Sequence, residues 1–338
     1  MENIKVYVLL ASYNGEEYIE QQIESIINQT FTSWKLIIRD DGSNDKTISI
    51  IKSLSMRDKR IELIVDDDKN LGAFGNFYRL TEYANQHYEP DYVLYSDQDD
   101  FWFNDKIEIL LQTIKYYEDK EIQKPILIHS NYQLADQNLN PIFKNNIRDN
   151  VDKMNKQSTF YNTIFQNNIY GCTTIVNKLL INKSLEEYVI CENHDHWMAL
   201  NALWDGAIFY LNKKLMLYRQ HYANVTGSYL TRKPYYKKIY SFYSELEIGS
   251  IFLLKSITYL DYFRKKINLE PFVLLDKATP KIIVSKKIIW FCMRNRITKN
   301  TLHETIFFYL CLFYSLLANF RSAKNNHSKI IIANISKE

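Results

Sequence analysis

Tyr95-Ser96-Asp97-Gln98-Asp99-Asp100-Phe101-Trp102 is the stretch on which the fold turns. Before it, Asp91-Tyr92-Val93-Leu94-Tyr95 is apolar and aromatic enough to be a buried strand. After it, Lys106 to Tyr117 carries Ile107, Leu110, Leu111 and Ile114 at helical spacing. Three carboxylates therefore stand where a core strand surfaces, the edge at which open α/β sheets bind ligands. Acidic side chains this close repel one another unless a proton or a cation offsets their charge. Hard divalent ions such as Mg²⁺ or Mn²⁺ take carboxylate oxygens and keep positions open for a substrate's phosphates. Taken alone, the run also reads as an acidic turn, with Asn104 or Asp105 capping the next helix.

Working outward, the chain upstream repeats one pattern. Lys5 to Ala11 reads as a buried strand, followed by the turn Ser12-Tyr13-Asn14-Gly15 and a helix from Glu16 to Asn28 with Ile19, Ile23, Ile26 and Ile27 as its stripe. Trp34 to Arg39 is a second strand, ending at Asp40-Asp41-Gly42-Ser43, with a helix through Ser55 behind it. Ile61 to Val65 is a third, and Asn70-Leu71-Gly72 opens a helix running to Tyr88. Strands alternating with helices predict a parallel sheet whose polar strand ends converge on one crevice. Downstream, Ile126 to Tyr132 and Ala207 to Gln220 add strands, with a polar loop from Asp136 to Asn155 between them.

The 338 residues, 46% apolar and 24% charged, suit a globular protein with a sizeable core. Met1 leads directly into the first strand without a basic region or cleavage site, which predicts a cytoplasmic protein. Cys172, Cys191, Cys292 and Cys311 have no C-x-x-C spacing and read as reduced packing residues. The net charge of +3 hides an asymmetry: from Ser228 onward 19 basic residues face 7 acidic ones, a charge of +12, leaving −9 on the rest. Neither G-x-G-x-x-G nor G-x-x-x-x-G-K-[ST] occurs, so the dinucleotide and P-loop phosphate cradles are excluded.

Ala11-Ser12-Tyr13-Asn14, Asp40-Asp41-Gly42-Ser43, Asn70-Leu71-Gly72 and Ser96-Asp97-Gln98-Asp99-Asp100, in this order, resemble the family 2 glycosyltransferases of the GT-A fold. The S-D-Q-D-D-x-W form resembles their bacterial rhamnosyltransferase-like branch, which builds cell-wall and capsular polysaccharides. The resemblance covers residues 1–227 and implies an α/β fold with a mostly parallel central sheet flanked by helices. Residues 228–338 are expected to form a basic, apolar-rich helical extension.

The resemblance further implies a nucleotide-diphosphate-sugar donor, dTDP-rhamnose or a UDP-hexose, a Mn²⁺ or Mg²⁺ ion, and inverting displacement at the anomeric carbon. By the same resemblance Ser12, Tyr13 and Glu16 line the nucleotide pocket, Asp40 and Asp41 contact base and ribose, and Asn76 belongs to the donor site. Asp40-Asp41 also reads as a turn and helix cap. Asp97 and Asp99 match the family's D-x-D, one reaching the ribose or the metal through water and the other binding the metal on the diphosphate. Gly171-Cys172-Thr173 matches the segment beneath the reacting sugars, and equally reads as a tight turn with Cys and Thr packed.

His194-Asp195-His196-Trp197 is the second informative cluster. It lacks the further ligands of a mononuclear zinc site. The resemblance makes Asp195 the general base that deprotonates the acceptor hydroxyl, with Glu192 as the alternative if the alignment is offset. An N-cap is the plainer reading of Asp195. Tyr218-Arg219-Gln220-His221 followed by Asn224-Val225-Thr226-Gly227 matches the same branch, with His221 as a third metal ligand and Arg219 on the diphosphate.

The tail reads as helical from Tyr235 to Lys266 and again from Thr305 to Phe320, with an interfacial helix over Lys281 to Phe291. No run reaches the ~20 apolar residues of a spanning helix. Basic and apolar residues together predict peripheral attachment to the inner leaflet of the plasma membrane, where a lipid-linked or polysaccharide acceptor is met. Nothing accompanies the charge that would suit nucleic acid. Two rivals stand beside this reading. A haloacid-dehalogenase-like phosphotransferase places D-x-D-x-[TV] after its first strand, whereas here the motif follows a later one. A non-catalytic GT-A-like scaffold would bind nucleotide-sugar without turnover.

Overall fold

The computed structural model describes residues 4–64, 66, 70–121, 123–143, 159–186, 193–221, 242–276, 281–299, 302–317 and 320–321. The chain divides into two compact units, residues 1–155 with 169–231, and residues 156–168 with 232–338.

The first unit is built on an eight-stranded sheet. Its strands are β1 (Val6–Ser12), β2 (Trp34–Asp40), β3 (Ile61–Ile64), β4 (Tyr92–Ser96), β5 (Phe101–Trp102), β6 (Ile126–Ala135), β7 (Thr174–Asn177) and β8 (Ala207–Arg219). They lie in the order β3-β2-β1-β4-β7-β6-β8-β5. The run β3-β2-β1-β4 is parallel, β7 is antiparallel to both of its neighbours, β6 and β8 are parallel, and β5 is antiparallel to β8. Strands β5 and β7 carry too short a pattern to be read from sequence. The helices are α1 (Ile19–Ile27), α2 (Thr47–Arg57), α3 (Gly72–Tyr88), α4 (Lys106–Glu118), and, after the short α5 described below, α6 (Lys178–Leu185) and α7 (His194–Asp205).

Both faces of this sheet are covered, which is why its central strands are apolar at consecutive positions. Val6, Val8 and Leu10 of β1 and Leu36 and Ile38 of β2 point to one core, against Ile19, Ile23 and Ile26 of α1 and Leu110 and Ile114 of α4. Leu9 and Ile37 point the other way, against Phe77, Leu80 and Ala84 of α3 and Met198, Ala199 and Ala202 of α7. Burying one such side chain contributes about 1.5–3 kcal/mol.

The second unit begins with α5 (Phe160–Phe165), a helix within a stretch the pattern leaves unassigned, whose N-cap Thr159 accepts from the Asn162 amide. It continues with α8 (Phe242–Lys266), α9 (Lys287–Arg294) and α10 (Leu302–Leu317). It is not wholly helical. A three-stranded antiparallel sheet of β9 (Val273–Asp276), β10 (Lys281–Val284) and β11 (Phe320–Arg321) lies within it. The interfacial helix expected over Lys281 to Phe291 is therefore a strand followed by a helix, because β-branched Ile282, Ile283 and Val284 favour the extended chain. No helix among the described residues is long and apolar enough to cross a membrane.

Candidate active site

The strand order reverses between β1 and β4, because the chain runs from β1 outward to β3 and then returns to the other side of β1. Such a switch point opens a crevice at the C-terminal strand ends. Ser12, Asp40 and Ser96 terminate β1, β2 and β4 at that edge, with Ser12 paired to Asp40 in the register. The loops after β1 and β4 are pinned together by Gln98, whose side-chain amide donates to the Tyr13 carbonyl and accepts from the Tyr13 amide, each at 2.9 Å. Gly15 makes this approach possible, since a Cβ there would meet Gln98 Oε1 at 2.3 Å. Tyr13 is left 47% exposed beside the crevice.

Most polar groups expected to touch a nucleotide are engaged by the protein itself. Asp40 accepts from the amides of Gly42 (3.0 Å) and Ser43 (2.7 Å) and from the hydroxyls of Ser12 (3.0 Å) and Ser43 (2.6 Å). Asp41 accepts from the amides of Leu71 and Gly72 at 2.9 Å each and pairs with Arg39 at 3.2 Å. Gly72 is needed there, because its φ of +73° is costly for residues with a Cβ. Asn76 donates to the carbonyls of Ser12 and Arg39 at 3.3 Å and accepts from Arg39 at 3.1 Å, so it ties β1 to β2 from inside. Glu16 accepts from the Lys46 amide at 2.9 Å. The turn-and-cap reading of Asp40-Asp41 thus describes the geometry, and these residues shape the pocket wall.

The acidic loop separates into two groups. Asp99 faces the opening: its Oδ2 lies 2.7 Å from His221 Nε2, and His221 in turn rests on the Tyr18 ring at 4.7 Å. Asp97 and Asp100 lie deeper, with Cys172, and their ligand atoms fall within 4.8 Å of one another. Burial, then the Asp99 carboxylate, then Asp195 push the Asp97 carboxyl up to about 7. Burial followed by Asp99 and Asp97 holds Asp100 well above the usual carboxylate range. Among the described residues the cation in this deep group is Lys106, fully buried, its Nζ donating to the Cys172 carbonyl at 2.5 Å and lying 3.7 Å over the Trp102 ring. Burial pulls that ammonium down to about 7. Lys106 was legible in outline, since it precedes Leu110 by one helical turn on the apolar stripe, where a charge needs partners. Asp105 does not cap α4 with its side chain, which pairs instead with Lys213 at 3.1 Å.

Arg219 is 2% exposed and stands behind the acidic loop. It donates to the Asp99 carbonyl at 2.6 Å and to Gln21 Oε1 at 2.7 Å, while its own amide donates to Asp100 Oδ1 at 3.2 Å. Its guanidinium also donates to the Gln137 carbonyl and lies 4.5 Å over Tyr18. A guanidinium so enclosed braces the loop through these protein contacts. Asp195 opens α7; its Oδ2 accepts from the Gly171 amide at 3.1 Å and its Oδ1 from the His196 amide at 2.6 Å. The Gly171–Thr173 segment forms a 3₁₀ turn that brings this amide to Asp195 and buries Cys172 beside Asp97. His194 stacks on Phe77 at 3.8 Å, and burial pulls it down to about 3. Glu192 and Asn224 to Gly227 lie outside the described residues.

The residues fit a divalent cation at the opening. Neighbouring ligands of an octahedral ion with 2.0–2.1 Å bonds lie about 3 Å apart, close to the Asp99–His221 separation. The deeper trio suits such an ion less, because Cys172 offers a soft thiol that burial keeps protonated.

The sequence profile of the Glycosyl transferase family 2 matches residues 7–189, just over half of the chain. The chain belongs to this family. The transferase is 30% identical to dTDP-rhamnosyl transferase RfbG of Shigella flexneri over 241 residues, 68% of this chain and 78% of that protein. It is 28% identical over 214 residues to UDP-Glc:alpha-D-GlcNAc-diphosphoundecaprenol beta-1,3-glucosyltransferase WfgD of Escherichia coli, 63% of this chain and 75% of that one. Among solved structures, S. aureus TarS 1-349 aligns with a TM-score of 0.49 at 18% identity, covering 79% of this chain and 67% of that one. The GT-A reading of the first unit agrees with its parallel β3-β2-β1-β4 half and acidic switch-point crevice.

Proposed function

We propose that the transferase moves a hexosyl or deoxyhexosyl group, rhamnose foremost, from a nucleotide-diphosphate donor to a lipid-linked or polysaccharide acceptor with inversion, in the synthesis of a cell-surface polysaccharide. The observation that carries this reading is the placement of two acidic functions about one crevice. Asp99 with His221 stands at the opening, and Asp195 lies close enough to the deep acids to raise Asp97. Similarity to a dTDP-rhamnosyl transferase and to a glucosyltransferase acting on a diphosphoundecaprenol-linked sugar supports the donor and acceptor classes.

In this reading Asp195 takes the proton of the acceptor hydroxyl as that oxygen attacks the anomeric carbon. The amides of Gly171 and His196 orient its carboxylate, and the N-terminus of α7 favours its anionic form. Tyr13 provides the face on which the base stacks, while Asp40, Asp41 and Asn76 hold the strand ends that frame it. Asp99 and His221, with Asp97, would hold Mn²⁺ or Mg²⁺, which when bound neutralises charge on the departing diphosphate. Arg219 and Lys106 position the acidic loop from behind. The chain acts at the cytoplasmic face of the membrane, with its basic second unit toward anionic lipid.

The test is a donor-hydrolysis screen of the purified protein with Mn²⁺ or Mg²⁺, comparing dTDP-rhamnose, UDP-glucose, UDP-galactose and UDP-N-acetylhexosamines. Metal-dependent release of one nucleoside diphosphate, lost in Asp99→Ala, is expected. Transfer to an acceptor should be lost in Asp195→Asn with donor binding retained. Failure to hydrolyse or bind any donor with metal present would refute the catalytic reading and favour a scaffold.

A further inference from the structure

The second unit holds a half-open pocket of about 460 Å³, well inside the range of small-molecule sites. Its walls come from the end of α5 and from α8 and α10. Phe165, Phe252, Leu253, Phe307 and Phe308 make it predominantly apolar. Gly249 permits the close approach of the two long helices, since a Cβ there would sit 2.6 Å from Cys311 Sγ and 3.1 Å from the Phe307 ring. One cation lines this cavity. The Lys299 ammonium donates to the Phe165 carbonyl and lies 5.5 Å from the Phe308 ring centroid. Burial pulls it down to about 8, against the opposing attraction of Glu304, which also lines the cavity. An ammonium has three N–H donors, and one carbonyl occupies a single one. Placing it in apolar surroundings costs free energy that an anion can return.

The outer face of the same helix indicates where such an anion comes from. Leu302, Ile306, Leu310 and Phe313 recur every three or four residues along α10 and are all exposed, as are Trp290 and Met293 on α9. Helix α10 is thus apolar on the cavity side and on its outer side, in the part of the chain that carries +12. An exposed apolar stripe in a segment of net positive charge suits the surface of an anionic bilayer.

We infer that this cavity binds the hydrocarbon chain of an anionic lipid, with its phosphate or carboxylate head on Lys299 and its tail among Phe165, Phe252, Phe307 and Phe308. The site shares no residue with the acidic crevice and does not rest on the transfer chemistry. A membrane phospholipid and a polyprenyl phosphate share this chemistry, and competition tells them apart.

The experiment titrates the full chain with cis-parinaric acid, a fatty acid that fluoresces in apolar surroundings, and with the matching uncharged alcohol. Saturable binding is expected, with the acid at least about tenfold tighter than the alcohol, as one charge-assisted hydrogen bond implies. The preference should vanish in Lys299→Met and persist in Lys299→Arg, and Ser256→Trp, which fills the cavity, should abolish binding. Displacement by polyprenyl phosphate or by phosphatidylglycerol vesicles names the source. Absence of saturable binding, or equal affinity for acid and alcohol in the unmodified protein, would overturn the inference without any variant. Unchanged binding in Ser256→Trp would place the probe on the outer stripe and overturn it as well. Metal-dependent donor hydrolysis, measured on the same Ser256→Trp protein, should be unaffected, so failure of the lipid site and failure of the catalytic reading are distinguishable.

Discussion

Replacing Arg219 by Met separates a brace from a substrate contact. Its guanidinium satisfies the Asp99 carbonyl, the Gln137 carbonyl and Gln21 Oε1, all within a residue that is 2% exposed. Each buried acceptor left without its donor costs about 1–3 kcal/mol. Partial access of water to the loop favours the lower half of that range for three acceptors, which gives about 4 kcal/mol. For a unit of this size such a loss lowers Tm by roughly 10 °C. The freed Asp99 carbonyl also lets the loop that presents Asp99 to His221 relax, so the half-saturating Mn²⁺ concentration should rise. Arg219→Lys should restore little, because an ammonium cannot span acceptors that a guanidinium fork reaches. The assay pairs thermal unfolding with a metal titration of donor hydrolysis. A variant with unchanged Tm and metal response but a raised donor KM would refute the brace and return Arg219 to the diphosphate.

Three further perturbations follow from the same geometry. Burial pulls His194 from its ordinary 6.5 down to about 3, so the unfolded chain binds a proton there that the folded chain refuses. The contribution is fully present above pH 6.5 and is lost as pH falls, by about 1.4 kcal/mol per unit. The stability difference between the unmodified protein and His194→Leu in urea should therefore shrink by about 2 kcal/mol from pH 7 to pH 5, and a constant difference would sink the argument. Gly171→Ala places a Cβ 2.3 Å from His194 Nε2, a ring already stacked on Phe77, and so displaces the amide that holds Asp195. It should cost about 1–3 kcal/mol of stability and lower kcat with little change in donor KM; a fall confined to KM would contradict the orienting role. Asp99→Asn and His221→Ala should each weaken Mn²⁺ or Mg²⁺ activation at least about tenfold. An unchanged metal titration in both would move the ion to the deeper acids.

The pattern of the chain determines the architecture of the first unit because both periodicities are local. Leu9 and Leu10 point to opposite cores, so an unbroken apolar run is what a strand covered on both faces requires. Carboxylates at the ends of β2 and β4 follow from the alternation of strands and helices, which sends every parallel strand to the same edge. The family could likewise be read from short motifs, since each sits at one strand end. What those motifs do was decided only by contacts across long separations. Arg219 reaches the Asp99 carbonyl, and Asn76 joins the ends of β1 and β2, contacts that no local pattern announces. Cys172 comes to the acidic loop from a distant 3₁₀ turn, and no spacing links it to Asp97 and Asp100. The second unit shows the same limit. Ile282 to Val284 and Ile288 to Phe291 are both wholly apolar runs that begin Ile-Ile, yet the first is a strand and the second a helix. The β-branched run leans to the extended chain, and the neighbouring strands β9 and β11 fix it by taking up its backbone hydrogen bonds.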